Sequence, residues 1–206
     1  MTPPDITHPV VLLHGLGRSP ASMLPLDWYL SREGFTTQRL GYPSTEQTVS
    51  EAIAHVGDAL PAGPHIIIGH SLGGLIGARL LRAGGAVPHV IQLGSPNLGS
   101  AMAERMGPVW PVRALCGPAL SDLEPHEDAP PEDPRIAAIA GTGGGIIAGN
   151  WLESPHDGAV SQRSAWAGAG HRAEAPVIHT LLPASPTVAR LICEFLTTGR
   201  FPDHAP

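Results

Sequence analysis

Residues 65–75 read His65-Ile66-Ile67-Ile68-Gly69-His70-Ser71-Leu72-Gly73-Gly74-Leu75. Three consecutive isoleucines with no polar interruption suit a strand buried on both faces, as in a parallel sheet. The residues that follow carry apolar positions at helical spacing. They predict a helix from about Leu72 to Ala83, stopped by Gly84-Gly85. Between strand and helix lies Gly69-x-Ser71-x-Gly73. A turn this sharp lifts the serine hydroxyl above the sheet edge, and side chains two residues to either side would crowd it. The start of the helix also offers free N–H groups and a positive dipole end to a developing anion. A bare match to the pattern would leave a Gly-rich turn with an incidental serine. The flanking strand and helix make Ser71 a candidate nucleophile.

Working outward, the same alternation recurs. Pro9 to Leu13 is a short apolar run ending at His14-Gly15, and predicts another buried strand. Residues 21–33 predict a helix ending at Gly34, and Phe35 to Leu40 a strand. Thr45 to Leu60 predicts a helix with Val49, Ile53, Val56 and Leu60 on one face. Val87 to Leu93 is a third buried strand. Arg135 to Ala140, and less clearly Ile146 to Leu152, return to the sheet. His171 to His179 contains the last strand, and Thr187 to Leu196 the last helix. Strands alternating with helices imply a parallel sheet of about six strands, with right-handed crossovers and helices on both faces. Ligands in such sheets bind at the carboxyl ends of the strands, where the motifs fall.

Residues 97–134 differ in texture, with seven prolines and most of an acidic cluster. They predict a surface excursion, with one short helix near 100–106, of the kind that forms binding elements or lids.

The 206 residues suit one domain with a substantial core. All 12 basic residues are arginine, which excludes Schiff-base chemistry and a phosphate-cradling lysine. A net charge of −6 without a basic run argues against nucleic acid and anionic membrane surfaces. Cys116 and Cys193 do not make a disulfide framework, and no Cys/His cluster has zinc-ligand spacing. No metal or cofactor is expected. The N-terminus lacks the pattern of a signal peptide, and no apolar run approaches a membrane span. The expectation is a soluble, cytoplasmic protein.

The segments VVLLHGLG, IIIGHSLGG, QLGSPNLGS, His156-Asp157-Gly158-Ala159-Val160 and Val177-Ile178-His179 together resemble small bacterial α/β-hydrolases of the lipase/esterase type. The resemblance runs from Pro9 to about Leu196. It implies a minimal version of that fold, without the usual first two strands. Chain order in the fold is nucleophile, acid, base. The base then follows the last strand, where His179 stands, with His171 as the rival. The acid follows the penultimate strand, where Asp157 stands in an Asp-Gly turn, with Glu153 as the nearest alternative. The resemblance also assigns the oxyanion-binding N–H groups to Leu16 and Leu72, which leaves both side chains free to line an acyl pocket. His14 reads as a loop organiser rather than a base.

Ser95 reads as structural, because it lacks the elbow glycines. Gly141 to Gly145 reads as a flexible loop rather than a phosphate site, because no Lys-Ser/Thr follows. Met102, Met106 and Trp110 in the Pro-rich excursion are candidate substrate contacts. Similar lipases often bind calcium, but no dependable ligand set stands here. The implied function is a carboxylic-ester hydrolase, an esterase or small lipase, acting on a small-molecule or lipid ester. An amidase, thioesterase or acyltransferase on the same triad is the alternative. A catalytically inactive binding module is the third reading.

Overall fold

The computed structural model describes residues 8–106, 117–125, 128–145 and 152–202. Six strands form one sheet: β1 (Val10–Leu13), β2 (Thr37–Leu40), β3 (Ile66–His70), β4 (Val90–Leu93), β5 (Asp133–Gly141) and β6 (Ala169–Ala175). Every pairing is parallel, in the order β2-β1-β3-β4-β5-β6. The apolar runs occupy the middle: β1, β3 and β4 are buried at every position. The edge strand β2, TQRL, is only half-buried. Its Arg39 pairs with Asp27 at 2.7 Å.

Among the described residues, six α-helices accompany the sheet: α1 (Leu24–Arg32), α2 (Val49–Ala59), α3 (Leu72–Arg82), α4 (Ala101–Met106), α5 (Gln162–Trp166) and α6 (Pro186–Thr198). Successive strand side chains point to opposite faces. Val11, Leu13 and Ile67 pack with α2 and α3. Val10, Leu12, Ile66 and Ile68 pack with Leu26 and Leu30 of α1 and with Ile192 and Phe195 of α6.

Several element boundaries differ from the sequence expectation for local reasons. Helix α2 starts at Val49, not Thr45, because Thr48 caps it. The Thr48 hydroxyl accepts from the Glu51 N–H, and the Glu51 carboxylate accepts from the Thr48 N–H. The helix expected over 21–33 splits into a 3-10 turn (Pro20–Met23) and α1, with Pro25 in the first turn of α1. The last strand ends at Ala175, so His179 stands at the head of a 3-10 turn (His179–Ala184).

The Pro-rich excursion contains the expected short helix, α4, and a 3-10 turn (Pro118–Leu123) that no periodicity announced. The excursion is tied down at several points. The Asp122 carboxylate accepts from the Val49 N–H at the start of α2. The Ser100 N–H donates to the Leu123 carbonyl, and the Ser100 hydroxyl to the Ala159 carbonyl. The strand expected within 146–152 falls, except for Leu152, outside the described residues, as do Trp110, Cys116 and the side chains of Met102 and Met106.

No helix among the described residues is long and apolar enough to cross a membrane. Cys193 is a free thiol. Burial pushes it up to about 11, so it is protonated at neutral pH.

Candidate active site

Ser71 sits between β3 and α3 with φ 53° and ψ −117°, the one positive-φ residue other than glycine among those described. Such a backbone costs of order 1–3 kcal/mol and persists only where its surroundings enforce it. The enforcement is close packing of main chain on main chain. A Cβ at Gly69 would meet the Gly73 carbonyl carbon at 2.3 Å, and one at Gly73 would meet the His14 oxygen at 2.6 Å. Glycine at both places lets the elbow close against itself and against the end of β1. Ser95, fully buried, braces the same turn by donating its hydroxyl to the Ser71 carbonyl at 2.8 Å. A buried amide pair lies behind it: Gln92 and Asn97 exchange hydrogen bonds at 3.0 and 2.9 Å, and Gln92 also donates to the Gly74 carbonyl.

Asp157 and His179 come together. His179 Nδ1 lies 2.7 Å from Asp157 Oδ2, with the carboxylate buried and the imidazole partly exposed. The other carboxylate oxygen accepts from the N–H groups of Ala159 and Val160, at 2.9 and 2.7 Å. That is the Asp-Gly turn seen in the sequence, wrapped around its own carboxylate. The two main chains are joined as well, because the His179 N–H donates to the Asp157 carbonyl at 2.9 Å. Since Asp157 can only accept, Nδ1 carries the proton and Nε2 is left as the basic nitrogen.

The rival residues stand elsewhere. His171 lies on β6 with its ring against Phe195. Glu153 is exposed, pairs with Arg163 at 3.7 Å, and lines a separate cleft of about 390 Å³ that Ser71, Asp157 and His179 do not line.

Leu16 and Leu72 follow the ends of β1 and β3. Among the described residues neither backbone N–H meets an acceptor. The Leu16 side chain lines the cavity beside Ser71. The Leu72 side chain does not, contrary to the sequence expectation. It is fully buried between sheet and helices, because the first residue of α3 faces the core. His14 organises the turn that carries Leu16: its ring stacks on Tyr42 at 4.4 Å, donates from Nδ1 to the Gly15 carbonyl, and accepts the Tyr42 N–H at Nε2. The Tyr42 hydroxyl donates to the His14 carbonyl at 2.6 Å. Burial lowers the His14 pKa, partly offset by the bond to Gly15.

Two features escaped the sequence reading. The first is His70. Fully buried, it donates from Nε2 to the carbonyl of His179 at 3.0 Å, while its Nδ1 has no partner among the described residues. Burial holds this imidazole well below the usual histidine range, and the neighbouring His179 adds to the effect. The residue between Gly69 and Ser71 is unconstrained in the motif, so nothing in the sequence marked it. The second is the Gly-rich segment after β5, expected to be a flexible loop. Gly143 and Gly144 donate their N–H groups to the carbonyls of Val177 and His156. A Cβ at Gly144 would meet the Gly158 nitrogen at 2.3 Å. The segment is therefore packed between the Asp157 turn and the chain leading to His179.

Ser71 and His179 open into one cavity of about 330 Å³. Its apolar wall comes from Leu16, Ala103, Leu120, Leu123 and Val160, with Pro96 beside the elbow. Among the described residues no group of three or more His, Cys, Asp or Glu side chains is placed to hold a metal ion.

A strained serine on a strand–helix elbow, in a parallel sheet of this order, defines the α/β-hydrolase class. The chain belongs to the Alpha/beta hydrolase family, whose sequence profile matches residues 10–203. No curated protein matches it. Solved structures share the fold at low identity. The mature form of lipase BlEst2 from Bacillus licheniformis is 18% identical, with a TM-score of 0.64 and 93% of each chain covered. A pyrethroid hydrolase from Sphingobium faniae JZ-2 is 15% identical, with a TM-score of 0.58, covering 92% of this chain and 97% of that one. Phospholipase PlaB from Legionella pneumophila is 16% identical, with a TM-score of 0.55, covering 77% of this chain and 44% of that one.

Proposed function

We propose that this protein is a carboxylic-ester hydrolase working through a Ser71–His179–Asp157 triad and an acyl-enzyme. The observation that carries the proposal is the buried Asp157 carboxylate bonded to His179 Nδ1, in a cavity that His179 shares with the strained Ser71. Proteins named lipase, phospholipase and pyrethroid hydrolase share the fold and support the reading at the level of hydrolysis.

In this mechanism Ser71 Oγ attacks the ester carbonyl carbon while His179 Nε2 takes its proton. Asp157 keeps Nδ1 protonated and stabilises the imidazolium that results. The N–H groups of Leu16 and Leu72 bind the tetrahedral oxyanion. Donors held in place before charge develops contribute about 3–4 kcal/mol each in such sites. Collapse of the intermediate breaks the C–O bond, and His179 returns the proton to the leaving alcohol. Water then attacks the acyl-enzyme with His179 again as base, releasing the acid and free Ser71. His70 and the Asp157 carbonyl hold the His179 backbone from two sides, so the base does not drift with its loop. The apolar wall gives the acyl chain a dry place to lie.

A chromogenic ester panel running from acetate to palmitate, with matched thioesters and amides, tests the proposal. It expects turnover of esters well above amides, lost in Ser71→Ala. A thioester or amide preferred over its matched ester would reassign the substrate class while leaving the triad in place.

A further inference from the structure

The cavity of Ser71 and His179 is lined, among the described residues, by a single side chain that carries a permanent charge, and that charge is positive. It belongs to Arg18, in a chain whose acidic residues outnumber its arginines 18 to 12. Arg18 is not a loose surface residue in its main chain. It closes the turn that supplies the Leu16 N–H, donating its own N–H to the Gly15 carbonyl at 3.2 Å. The preceding Gly17 N–H is held by the Ser44 hydroxyl at 3.1 Å. The side chain is exposed at the cavity mouth, and no carboxylate among the described residues pairs with it. Elsewhere Arg39, Arg135, Arg163 and Arg172 each pair with an acid. The charge of Arg18 also reaches the buried His70, where it adds to the lowering of that imidazole.

An unpaired guanidinium two residues from an oxyanion donor, above an apolar pocket, suits one kind of substrate. A neutral ester makes no use of it. A carboxylate or phosphate engages its planar fork with two parallel hydrogen bonds. We propose that the ester hydrolysed at this site carries an anionic group, carboxylate or phosphate, that pairs with Arg18 at the cavity mouth while its apolar part lies against Leu16, Leu120, Leu123 and Val160. The proposal rests on the ester-hydrolase reading above and adds the charge of the substrate to it.

Matched pairs of butyrate-sized esters test it. One pair places the charge on the acyl side: the mono-p-nitrophenyl ester of succinate against p-nitrophenyl butyrate. A second places it on the alcohol side: 4-carboxyphenyl butyrate against its methyl-ester analogue. A third replaces that carboxylate by phosphate. In at least one pair the anionic ester should show kcat/KM about tenfold above its neutral partner at low salt, falling toward parity as salt screens the mouth. Arg18→Gln should collapse that ratio to about one, Arg18→Lys should keep part of it, and Arg18→Glu should invert it. A ratio at or below one in every pair for the native enzyme would overturn the proposal. So would a ratio that survives in Arg18→Gln. Hydrolysis of neutral esters with no anionic preference defeats this inference alone, whereas failure of every ester defeats the ester reading with it.

Discussion

The elbow around Ser71 and the wall facing it are built by opposite means. The elbow is backbone packed on backbone: Gly69 against Gly73, Gly73 against the end of β1, and the Ser95 hydroxyl against the Ser71 carbonyl. There is no room for an added atom. The wall contributed by α4 and the Pro118–Leu123 turn consists of side chains, Ala103, Leu120 and Leu123. It is tied to the body by a few bonds through Ser100 and Asp122. Main-chain packing therefore fixes the position of Ser71, and side chains set what lies beside it. Change at the elbow should cost chemistry and folding together, whereas change at the wall should move substrate preference.

The largest effects should come from the reacting groups. Ser71→Ala should lower kcat for a short ester by at least about 10⁴-fold, and His179→Ala similarly. Thermal unfolding of Ser71→Ala should stay close to that of the native protein, because the hydroxyl fills no core volume, whereas His179→Ala removes the partner of the buried Asp157 carboxylate and should melt at a lower temperature. Asp157→Ala should cost less in kcat, by roughly tenfold, because the unassisted imidazole still acts as a base. It should cost more in stability, since the N–H groups of Ala159 and Val160 lose their acceptor. An Asp157→Ala enzyme equal to the native one in kcat would move the acid elsewhere.

At the elbow itself, Gly69→Ala should destabilise the fold by about 3 kcal/mol or more, read by denaturant unfolding, since nothing at 2.3 Å can yield except backbone. The same change on the wall is the informative contrast. Leu120→Ala should leave most of the stability and shift the preferred acyl chain to a longer one by enlarging the pocket. Unchanged chain-length preference in both Leu120→Ala and Leu123→Ala would show that the acyl group lies elsewhere.

A smaller effect appears with pH. His70 is buried and neutral in the folded protein, with a pKa well below its ordinary value of 6.5. The unfolded chain therefore binds a proton that the folded one refuses once the pH drops below 6.5. Stability should fall as the pH falls from there toward the depressed folded value, by up to about 1.4 kcal/mol per pH unit from this one group. Above 6.5 the group contributes no slope. His70→Gln, which keeps an N–H donor and cannot charge, should flatten this acid limb in a pH series of thermal melts. An unaltered limb would assign it to other histidines, with His14 next.

The contrast between elbow and wall also explains what the sequence revealed. Val10–Leu13 and Ile66–Ile68 were legible because both-face burial writes itself as an unbroken apolar run, and Val90–Leu93 because only Gln92 interrupts its run. Asp157 and His179 were singled out as candidates by their order along the chain, and the structure brings the two within hydrogen-bond reach. The start of α2 was misplaced although its signal, Thr48 with Glu51 three residues on, is present in the sequence. The Pro118–Leu123 turn left no trace, because a 3-10 segment this short has no period to detect. The packing of Gly143 and Gly144 was invisible for another reason: a glycine required by a close neighbour reads the same as one that confers flexibility.

The most direct test of the account is labelling with a fluorophosphonate probe, followed by peptide mapping. One adduct should form, on Ser71, absent in Ser71→Ala and strongly slowed in His179→Ala. An adduct on Ser95, or ester hydrolysis that persists in Ser71→Ala, would contradict it.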